Sequence, residues 1–502
     1  MSTESIYTAS KFHLWLKREF IQKKFLGPWG IVPLILVAVA GGALAANDLF
    51  IVSLLVGVAL LIVIIIYYCL FYPLKGFYII NLLSFFVFYP NHLIGRDLLP
   101  LNTALEVLII FVYLGTCISK KYGIIIELGF SKTLISITLF LLTVYMGLQA
   151  FNPNVYGLGG WFSAFKRSLI FVLIYITAYR LIDTENKFNY FLRFWIIMSL
   201  IASFYGCLQQ WFGYLPLEMN YIRNVPGSYE LLNQGGLLRK FSFLSDVVSF
   251  GVLSGCMSLF TLLIAINEKN IKRKICLFLF SIIMALGMSY SGTRTVTIII
   301  PTGLAFYCLL RIKHKTTLVT MFLAIMGAIA VLFAPIHNNA TLNRVRSVFD
   351  TEDPSLDVRN INRHYIQPYM HSHPLGGGIG TTNNAGLINH PGHPLAGFAT
   401  DSGFLKEGLE IGWIGLFLMM FFNLSILYQG INYYFRMKDK QLKIYVVVIL
   451  CTLFANIVTQ YAQETVGQFP FAIFFFSSLS LLKRLLEFDS RKRYIQVKHL
   501  DS

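Results

Sequence analysis

Residues 50–72 read FIVSLLVGVALLIVIIIYYCLFY, a run without a single charged side chain. About 20 consecutive apolar residues are enough for an α-helix to cross the hydrocarbon core of a bilayer. Comparable runs recur from Ile31 to Leu482, and the whole chain is 56% hydrophobic and only 13% charged. A soluble globular protein has about a quarter charged residues. The sequence therefore predicts an all-α fold, a polytopic membrane helix bundle.

The apolar runs predict 12–14 transmembrane helices, the third and the last of which are short and rich in aromatic residues. The chain divides by composition into five expected parts: a basic N-terminus (1–29) with an amphipathic segment that lies on the membrane surface, about eleven spans (30–335), one large loop (336–403), the C-terminal spans (404–484) and a basic tail (485–502). A loop of this length inside a helix bundle is usually functional.

Most of the 41 Lys and Arg residues fall in short connections on one side of the predicted bundle. Cytoplasmic loops of membrane proteins are enriched in these residues, so both termini are expected in the cytoplasm and the loop 336–403 on the outer face. The net charge of +17 follows from this topology. It therefore gives no reason to expect nucleic-acid binding, and membrane lipids are the expected surroundings.

The stretch HSHPLGGGIGTTNNAGLINHPGHP (371–394) could be a metal site, a phosphate-binding loop or an ordinary long loop. GGGIG lacks the GxGxxG spacing and the Walker lysine, and neither ATP nor NAD is available on the outer face. The histidines occur as H-x-H and H-x-x-H, but no HExxH motif and no outer cysteine accompanies them, whereas zinc sites usually add a third ligand at defined spacing. We therefore predict no metal and no cofactor, and leave open that His390 or His393 acts as a base or contacts a sugar.

Ionisable groups beside membrane spans are energetically costly and tend to be functional. Arg239 precedes the eighth predicted span, and Arg294 lies in a tight Ser/Gly/Thr turn between two later spans. The planar guanidinium group suits phosphate oxygens, and no acidic cluster stands beside either arginine in the sequence. We therefore expect an anionic ligand, such as a diphosphate, at this pair. Arg359 and Arg363 lie next to DTEDPSLD (350–357), so ordinary salt bridges are an alternative for them.

Four stretches in this order resemble the O-antigen ligase/polymerase family of membrane glycosyltransferases: LLRKFSFLSDVVSFG (237–251), SYSGTRTV (289–296), HSHPLGGGIGT (371–381) and DSGFLKEGLEIGWIG (401–415). The features that carry the resemblance are Arg239, Arg294, Pro374-Leu375 with Gly376 to Gly380, and Glu410-Ile411-Gly412 with Gly415. The similarity extends over about residues 237–425.

The resemblance implies a glycosyltransferase in the bacterial inner membrane, with its active site on the outer face. The donor would be an oligosaccharide linked to polyprenyl diphosphate, and the acceptor a glycan or a lipid, without a cofactor. The expected catalytic residues are Asp401 as the base, and Arg294 and Arg239 at the leaving diphosphate. The expected residues for binding diphosphate or glycan are Arg359, Arg363, Gly376, Gly378, Gly380, His390 and His393. The glycines would let a bulky substrate approach the backbone, or would merely turn the chain under a lid.

One position departs from the ligase pattern. Ligases of this family usually have a His-Asn pair nine and eight residues before the motif glutamate, and the matching positions here are Asp401 and Ser402. This substitution favours a polymerase over a ligase that transfers glycan to a lipid core or a protein. A lipid-glycan flippase is the third hypothesis, but a transporter should show two matching halves and charges at the membrane midplane, and the sequence shows neither.

Overall fold

In the computed structural model, the described residues are 50–94, 101–119, 128–234, 236–313 and 354–500, together with isolated positions between 317 and 346. The amphipathic segment predicted in the N-terminus and the span predicted near residue 38 lie outside the described residues. The all-α prediction is confirmed. Apart from one hairpin of two-residue strands, every regular element described is an α-helix or a 3₁₀-helix.

The described α-helices are, in chain order, α1 Phe50–Phe71, α2 Pro73–Phe86, α3 Tyr89–Ile94, α4 Leu101–Ile118, α5 Leu128–Ser131, α6 Leu134–Leu148, α7 Gly159–Leu181, α8 Glu185–Phe212, α9 Pro216–Asn224, α10 Ser228–Leu232, α11 Val247–Asn267, α12 Ile271–Tyr290, α13 Ile299–Leu310, α14 Pro354–Ser372, α15 Asn383–Asn389, α16 Gly403–Glu410, α17 Gly412–Arg436, α18 Lys440–Thr459 and α19 Phe471–Leu500. Two 3₁₀-helices span Gln149–Phe151 and Arg294–Ile298. Strands β1 Asn233–Gln234 and β2 Leu237–Leu238 pair antiparallel, with Asn233 opposite Leu238.

Within the described residues, eight helical segments are long and apolar enough to cross a membrane: Pro73–Ile94, Leu101–Ile118, Leu134–Phe151, Gly159–Leu181, Glu185–Phe212, Val247–Asn267, Gly412–Arg436 and Lys440–Thr459. These helices confirm a polytopic membrane protein. The expected number of 12–14 spans stays a prediction, because the regions around residues 38 and 325 fall wholly or mostly outside the described part of the chain, and the described part also contains two shorter apolar helices, Leu60–Phe71 and Arg294–Leu310.

The chain forms two compact units, the first from residues 1–83 and 103–127, and the second from residues 84–102 and 128–502. In the first unit, Gly76 and Gly115 both lie against the backbone of Cys69, and a Cβ atom at Gly76 would lie 2.6 Å from the Cα atom of Cys69. Small residues allow membrane helices to approach each other this closely. The packing of α1 in this unit therefore requires glycine at both positions.

Helix α11 is the central helix of the second unit and packs against α8, α12, α13 and α18. Its apolar segment is 83% buried, compared with 28% for the segments of α6 and α7. The helix begins after Asp246, whose Oδ1 atom accepts hydrogen bonds from the amides of Val248 and Ser249 at 2.8 and 2.9 Å. An aspartate at this position satisfies amides that no preceding turn can bind.

Several connections of the second unit meet at one end, the loop end, where α6 and α18 finish and α7, α11 and α17 begin. Hydrogen bonds join the connections there: Asn152 Nδ2 donates to Leu375 O at 2.9 Å, and the amide of Gly403 donates to Gln460 O at 2.9 Å. The described part of the predicted loop contains α14 and α15, and Ile366, Leu395 and Leu409 form a small buried cluster. This part of the loop is therefore a packed structure.

Candidate active site

The two glycine motifs that carry the family resemblance pack directly on each other at the loop end. The amides of Gly377 and Gly378 donate to Leu409 O and Glu410 O at 2.8 and 2.9 Å, and the amide of Trp413 donates to Pro374 O at 2.9 Å. These hydrogen bonds bring the segment 374–378 against the break between α16 and α17.

Gly376 and Gly412 make this backbone packing possible. Both have positive φ angles, +78° and +68°, which residues with a side chain rarely adopt. A Cβ atom at Gly376 would lie 2.5 Å from both Glu410 O and the amide nitrogen of Gly412. Backbone packing therefore requires glycine at position 376, independently of any substrate.

Glu410 connects the two motifs through its side chain. Its Oε1 atom accepts hydrogen bonds from Thr382 Oγ1 at 2.5 Å and from the amide of Thr382 at 3.3 Å, and the residue is buried. The connection between α6 and α7 holds the same loop from the other side, because Asn154 Nδ2 donates to Gly376 O at 2.8 Å. Gly380 lies against Gly160, where a Cβ atom would be 3.0 Å from the Cα atom of Gly160.

A cavity of about 160 Å³ lies beside these motifs, between α6, α7, α16, α17 and the connection from α18 to α19. Its walls are largely apolar and include Phe171 and Phe476. The polar side chains in its lining are those of Arg167, Ser168, Lys406, Glu407, Glu410, Asn423, Gln460, Glu464 and Gln468. An apolar pocket with a few converging polar groups is the usual form of a ligand site.

The charged groups of the cavity shift one another's pKa values. Lys406 Nζ contacts both carboxylate oxygens of Glu464 at 2.9 and 3.0 Å. Burial opposes the charge of Lys406, but Glu464, Glu410 and Glu407 outweigh burial and raise the pKa of this lysine. Burial raises the pKa of Glu407 to about 8, Glu410 and Glu464 add to this rise, and Lys406 opposes it. Glu407 thus titrates near neutral pH.

Two buried amide side chains of the cavity leave a polar atom without a hydrogen-bond partner among the described residues. These atoms are Nδ2 of Asn423, a donor, and Oε1 of Gln460, an acceptor. The two residues are only 5% and 2% exposed. Buried polar groups in proteins are nearly always hydrogen-bonded, so a water or a bound molecule that can both donate and accept would complete both groups.

The structure brings Arg239 to the turn that contains Arg294. Arg239 Nε donates to Ser291 O at 3.0 Å, and its Nη2 atom donates to Thr293 Oγ1 at 2.6 Å. The guanidinium group thus fixes the turn whose next residue, Arg294, begins a 3₁₀-helix. Arg239 thus contacts the residues directly before Arg294, while the anionic ligand expected at this pair and the catalytic roles of both arginines stay predictions.

A short chain of hydrogen bonds leads from the start of α11, near this turn, to the cavity. Thr293 Oγ1 donates to Val247 O at 3.4 Å, next to Asp246 in the chain. Ser249 Oγ donates to Asp246 Oδ2 at 2.8 Å and also contacts Gln468 Oε1 at 3.2 Å. Since Gln468 lines the cavity, the arginine turn and the cavity belong to one polar region of the loop end.

The other predicted site residues lie at several places. Asp401 is half-buried, directly before Ser402, which caps α16, and it is not part of the cavity lining found in the described residues. Arg363 donates from Nη1 to Tyr461 Oη at 3.1 Å and lies over the ring of that tyrosine. The backbone of Arg359 is part of α14, and its side chain lies outside the described part of the structure.

His390 and His393 are buried side by side in the loop that carries the glycine motif. His393 Nδ1 accepts a hydrogen bond from the amide of Leu395 at 3.1 Å, and burial, with His390 adding to it, lowers the pKa of His393. Both ring nitrogens of His390 lack a hydrogen-bond partner among the described residues. Across the described residues, no group of three or more His, Cys, Asp or Glu side chains is arranged to hold a metal ion.

Sequence reasoning did not select the residues that define the cavity. Arg167 has a usable signal in the sequence, because it is an ionisable residue beside a predicted span. Glu407 has a signal of the same kind, as a charge just before the predicted C-terminal spans. Asn423, Gln460 and Glu464 come from elements far apart in the chain, and only folding shows that they share one space.

Comparison with known proteins supports the family resemblance over part of the chain. Residues 279–420 match the family model described as O-antigen ligase. The matched segment includes Arg294, the glycine-rich loop and Glu410, and ends within α17. Among curated proteins, none matches the chain. The chain is thus a polytopic membrane protein in which residues 279–420 are similar to the O-antigen ligase family.

Proposed function

We propose that this protein is a polymerase-type glycosyltransferase of the bacterial inner membrane, with its active site on the outer face. It transfers a glycan from a polyprenyl diphosphate carrier to a hydroxyl group of a second carrier-linked glycan, as in the assembly of O-antigen or capsule repeats. The match to the O-antigen ligase family supports the reaction class. Asp401 and Ser402, at the place of the His-Asn pair of ligases, support the choice of polymerase.

The reaction makes one bond and breaks one. The acceptor oxygen attacks the anomeric carbon of the donor sugar, the bond from that carbon to the diphosphate oxygen breaks, and the electron pair leaves with the diphosphate. The hydroxyl proton passes to a carboxylate, for which the sequence predicts Asp401. Negative charge grows on the leaving diphosphate, and we assign Arg294 and Arg239 to its stabilisation.

The observation that carries the proposal is the fixed arginine turn. Arg239 reaches across more than fifty residues of sequence to hold Ser291 and Thr293, and so sets the position of Arg294. Groups that are fixed before the reaction stabilise developing charge better than mobile ones, because they need not reorganise in the transition state. Donors of this kind are each worth about 10²–10³ in rate.

Deletion of the gene in its native host tests the proposal. Surface glycan and carrier-linked glycan are separated by gel electrophoresis, with the deletion complemented by the wild-type gene as the control. If the protein is the polymerase, the attached glycan shrinks to a single repeat and complementation restores long chains. Unchanged chain lengths in both pools would contradict the proposed reaction.

Ligation is the second candidate, and the description of the matching family model favours it. A ligase would transfer the same donor glycan to a lipid core or to a protein. The same gel separates the two functions: loss of a ligase removes attached glycan, while long chains accumulate on the carrier.

A further inference from the structure

We propose that the cavity bounded by α6, α7, α16 and α17 binds the sugar of the acceptor, and that Glu407 takes the proton of the attacking hydroxyl group. This inference rests on the proposed function. It assigns the role of base to a residue other than Asp401, and it assigns a carbohydrate site to the bundle itself, away from the glycine-rich loop.

The cavity has room for the six-membered ring of a sugar, whose hydroxyl groups would extend towards the polar lining. A protein cavity of about 150 Å³ is large enough for a six-membered carbon ring. The cavity in this protein measures about 160 Å³ and has apolar walls that include Phe171 and Phe476, against which the hydrophobic face of a sugar can pack. A complete oligosaccharide would extend out of the cavity, so this space accommodates the terminal residue of a glycan.

The unpartnered atoms indicate a hydroxylated ligand and argue against an anion. Asn423 Nδ2 needs an acceptor and Gln460 Oε1 needs a donor, and a hydroxyl group supplies both. A fully ionised phosphate could satisfy only the asparagine. The lining also contains three carboxylates, of Glu407, Glu410 and Glu464, compared with the two cations Lys406 and Arg167. Because Glu407 keeps its proton below its raised pKa, the remaining charges balance, and the cavity offers the donor diphosphate no excess positive charge, whereas the arginine turn does.

Among the three carboxylates of the cavity, Glu407 is the one available for proton transfer. Glu410 is held by Thr382, and Glu464 is paired with Lys406. No hydrogen bond holds the carboxylate of Glu407 within the described residues, and burial raises its pKa to about 8, within reach of neutral pH. A base is most effective when its pKa is near the pH of the reaction.

The proposed step transfers the hydroxyl proton to Glu407 and releases the diphosphate. The carboxylate of Glu407 accepts the hydroxyl proton while the oxygen forms its bond to the anomeric carbon, and the diphosphate departs with the electron pair of the broken bond. Gln468, in the cavity lining, contacts Ser249, which binds Asp246 at the start of α11. The proposed acceptor site and the proposed diphosphate site therefore both contact the first turn of α11.

The test uses the full-length protein reconstituted in liposomes, with the carrier-linked repeat from the deletion strain as donor and the same repeat freed of its diphosphate as soluble acceptor. Initial rates are measured from pH 6 to pH 9.5 for the wild type and for Glu407→Gln, Glu407→Asp, Asp401→Asn and Asn423→Leu. Glu268→Gln is the matched control, because Glu268 lies in the turn between α11 and α12 and only accepts hydrogen bonds from neighbouring amides. Melting temperatures of all variants are measured in detergent.

We expect the wild-type rate to rise with pH and to level off above about pH 8, because only the deprotonated base is active. Glu407→Gln should lower kcat by about 10²–10⁴-fold, keep the KM for the donor and remove the inflection, and Glu407→Asp should restore part of the rate. Asp401→Asn should keep the inflection. Asn423→Leu should raise the KM for the soluble acceptor about tenfold, while Glu268→Gln behaves as the wild type.

The outcomes separate the two proposals. A wild-type protein that forms no product would overturn the proposed function, and this inference with it. Two results with an active wild type would overturn the assignment of Glu407 alone. The first is a fully active Glu407→Gln variant. The second is an inflection in the pH profile that Asp401→Asn removes and Glu407→Gln keeps. An unchanged acceptor KM in Asn423→Leu, with an unchanged melting temperature, would overturn the acceptor site.

Discussion

Replacement of Gly376 by alanine tests the packing of the two glycine motifs. A residue with a Cβ atom loses about 1–2 kcal/mol when it adopts a left-handed conformation. In addition, the new Cβ atom would lie 2.5 Å from Glu410 O and from the amide nitrogen of Gly412, so the two segments must separate. Separation weakens the hydrogen bonds from Gly377 and Gly378, each worth about 0.5–1.5 kcal/mol.

The expected loss in free energy of unfolding for Gly376→Ala is therefore about 2–5 kcal/mol. Gly227→Ala is the matched control, because Gly227 has nearly the same φ angle, +76° compared with +78°, but open space around its Cβ position. The control should lose only the conformational part, about 1–2 kcal/mol. Unfolding of the purified variants is followed in detergent by tryptophan fluorescence during denaturant titration.

Two outcomes would contradict the packing role of Gly376. Equal destabilisation of Gly376→Ala and Gly227→Ala would show that the contact between the motifs contributes nothing and that only backbone conformation matters. A Gly376→Ala variant that is as stable as the wild type and has lost activity would instead mean that the glycine serves substrate approach.

Three further predictions concern the charged groups of the site. Arg239→Lys loses the guanidinium group that binds Ser291 and Thr293, and should reduce the rate of glycosyl transfer about 10²–10³-fold. Arg273→Lys, on the exposed start of α12, is the control and should leave the rate unchanged. Equal rates for the two variants would refute the role of the turn. Thr382→Val removes a donor to buried Glu410 and should lower the free energy of unfolding by about 1–3 kcal/mol, so an unchanged value would contradict the link. Because burial raises the pKa of Glu407 from 4.5 to about 8, the folded state favours its neutral form. The stability that this group contributes is present below pH 4.5 and is lost as the pH rises through 8. The melting temperature of Glu407→Gln should therefore exceed that of the wild type by more at pH 9 than at pH 5.

The sequence was most informative where one physical constraint dominates. A membrane span must bury about 20 apolar residues, and the helices of the second unit, such as Val247–Asn267, lie where the hydropathy predicts them. The segment Pro73–Ile94, read from sequence as a weak span, has the required length only because α2 and α3 follow each other closely. The helices α14 and α15 were not predicted, because their polar sequences lack a long apolar period and depend on packing around Leu395.

The parts of the site that could be predicted from the sequence are those formed by short motifs. Arg239, Arg294 and the glycine motifs have short-range signatures, and the structure places Arg239 on the turn before Arg294 and the two motifs against each other. The cavity has no signature in the sequence. Its lining comes from side chains on separate helices, such as Arg167 and Asn423, whose proximity depends on how those helices pack.

The central claim is that this protein joins glycans by displacing a polyprenyl diphosphate. It is tested most directly by reconstituting the purified wild-type protein in liposomes with a carrier-linked repeat, and measuring both the glycosidic linkages formed and the polyprenyl diphosphate released. The account predicts one polyprenyl diphosphate for each new linkage, with carrier-linked products that grow by whole repeats. Release of the carrier without new linkages, or no release from an intact substrate, would contradict it.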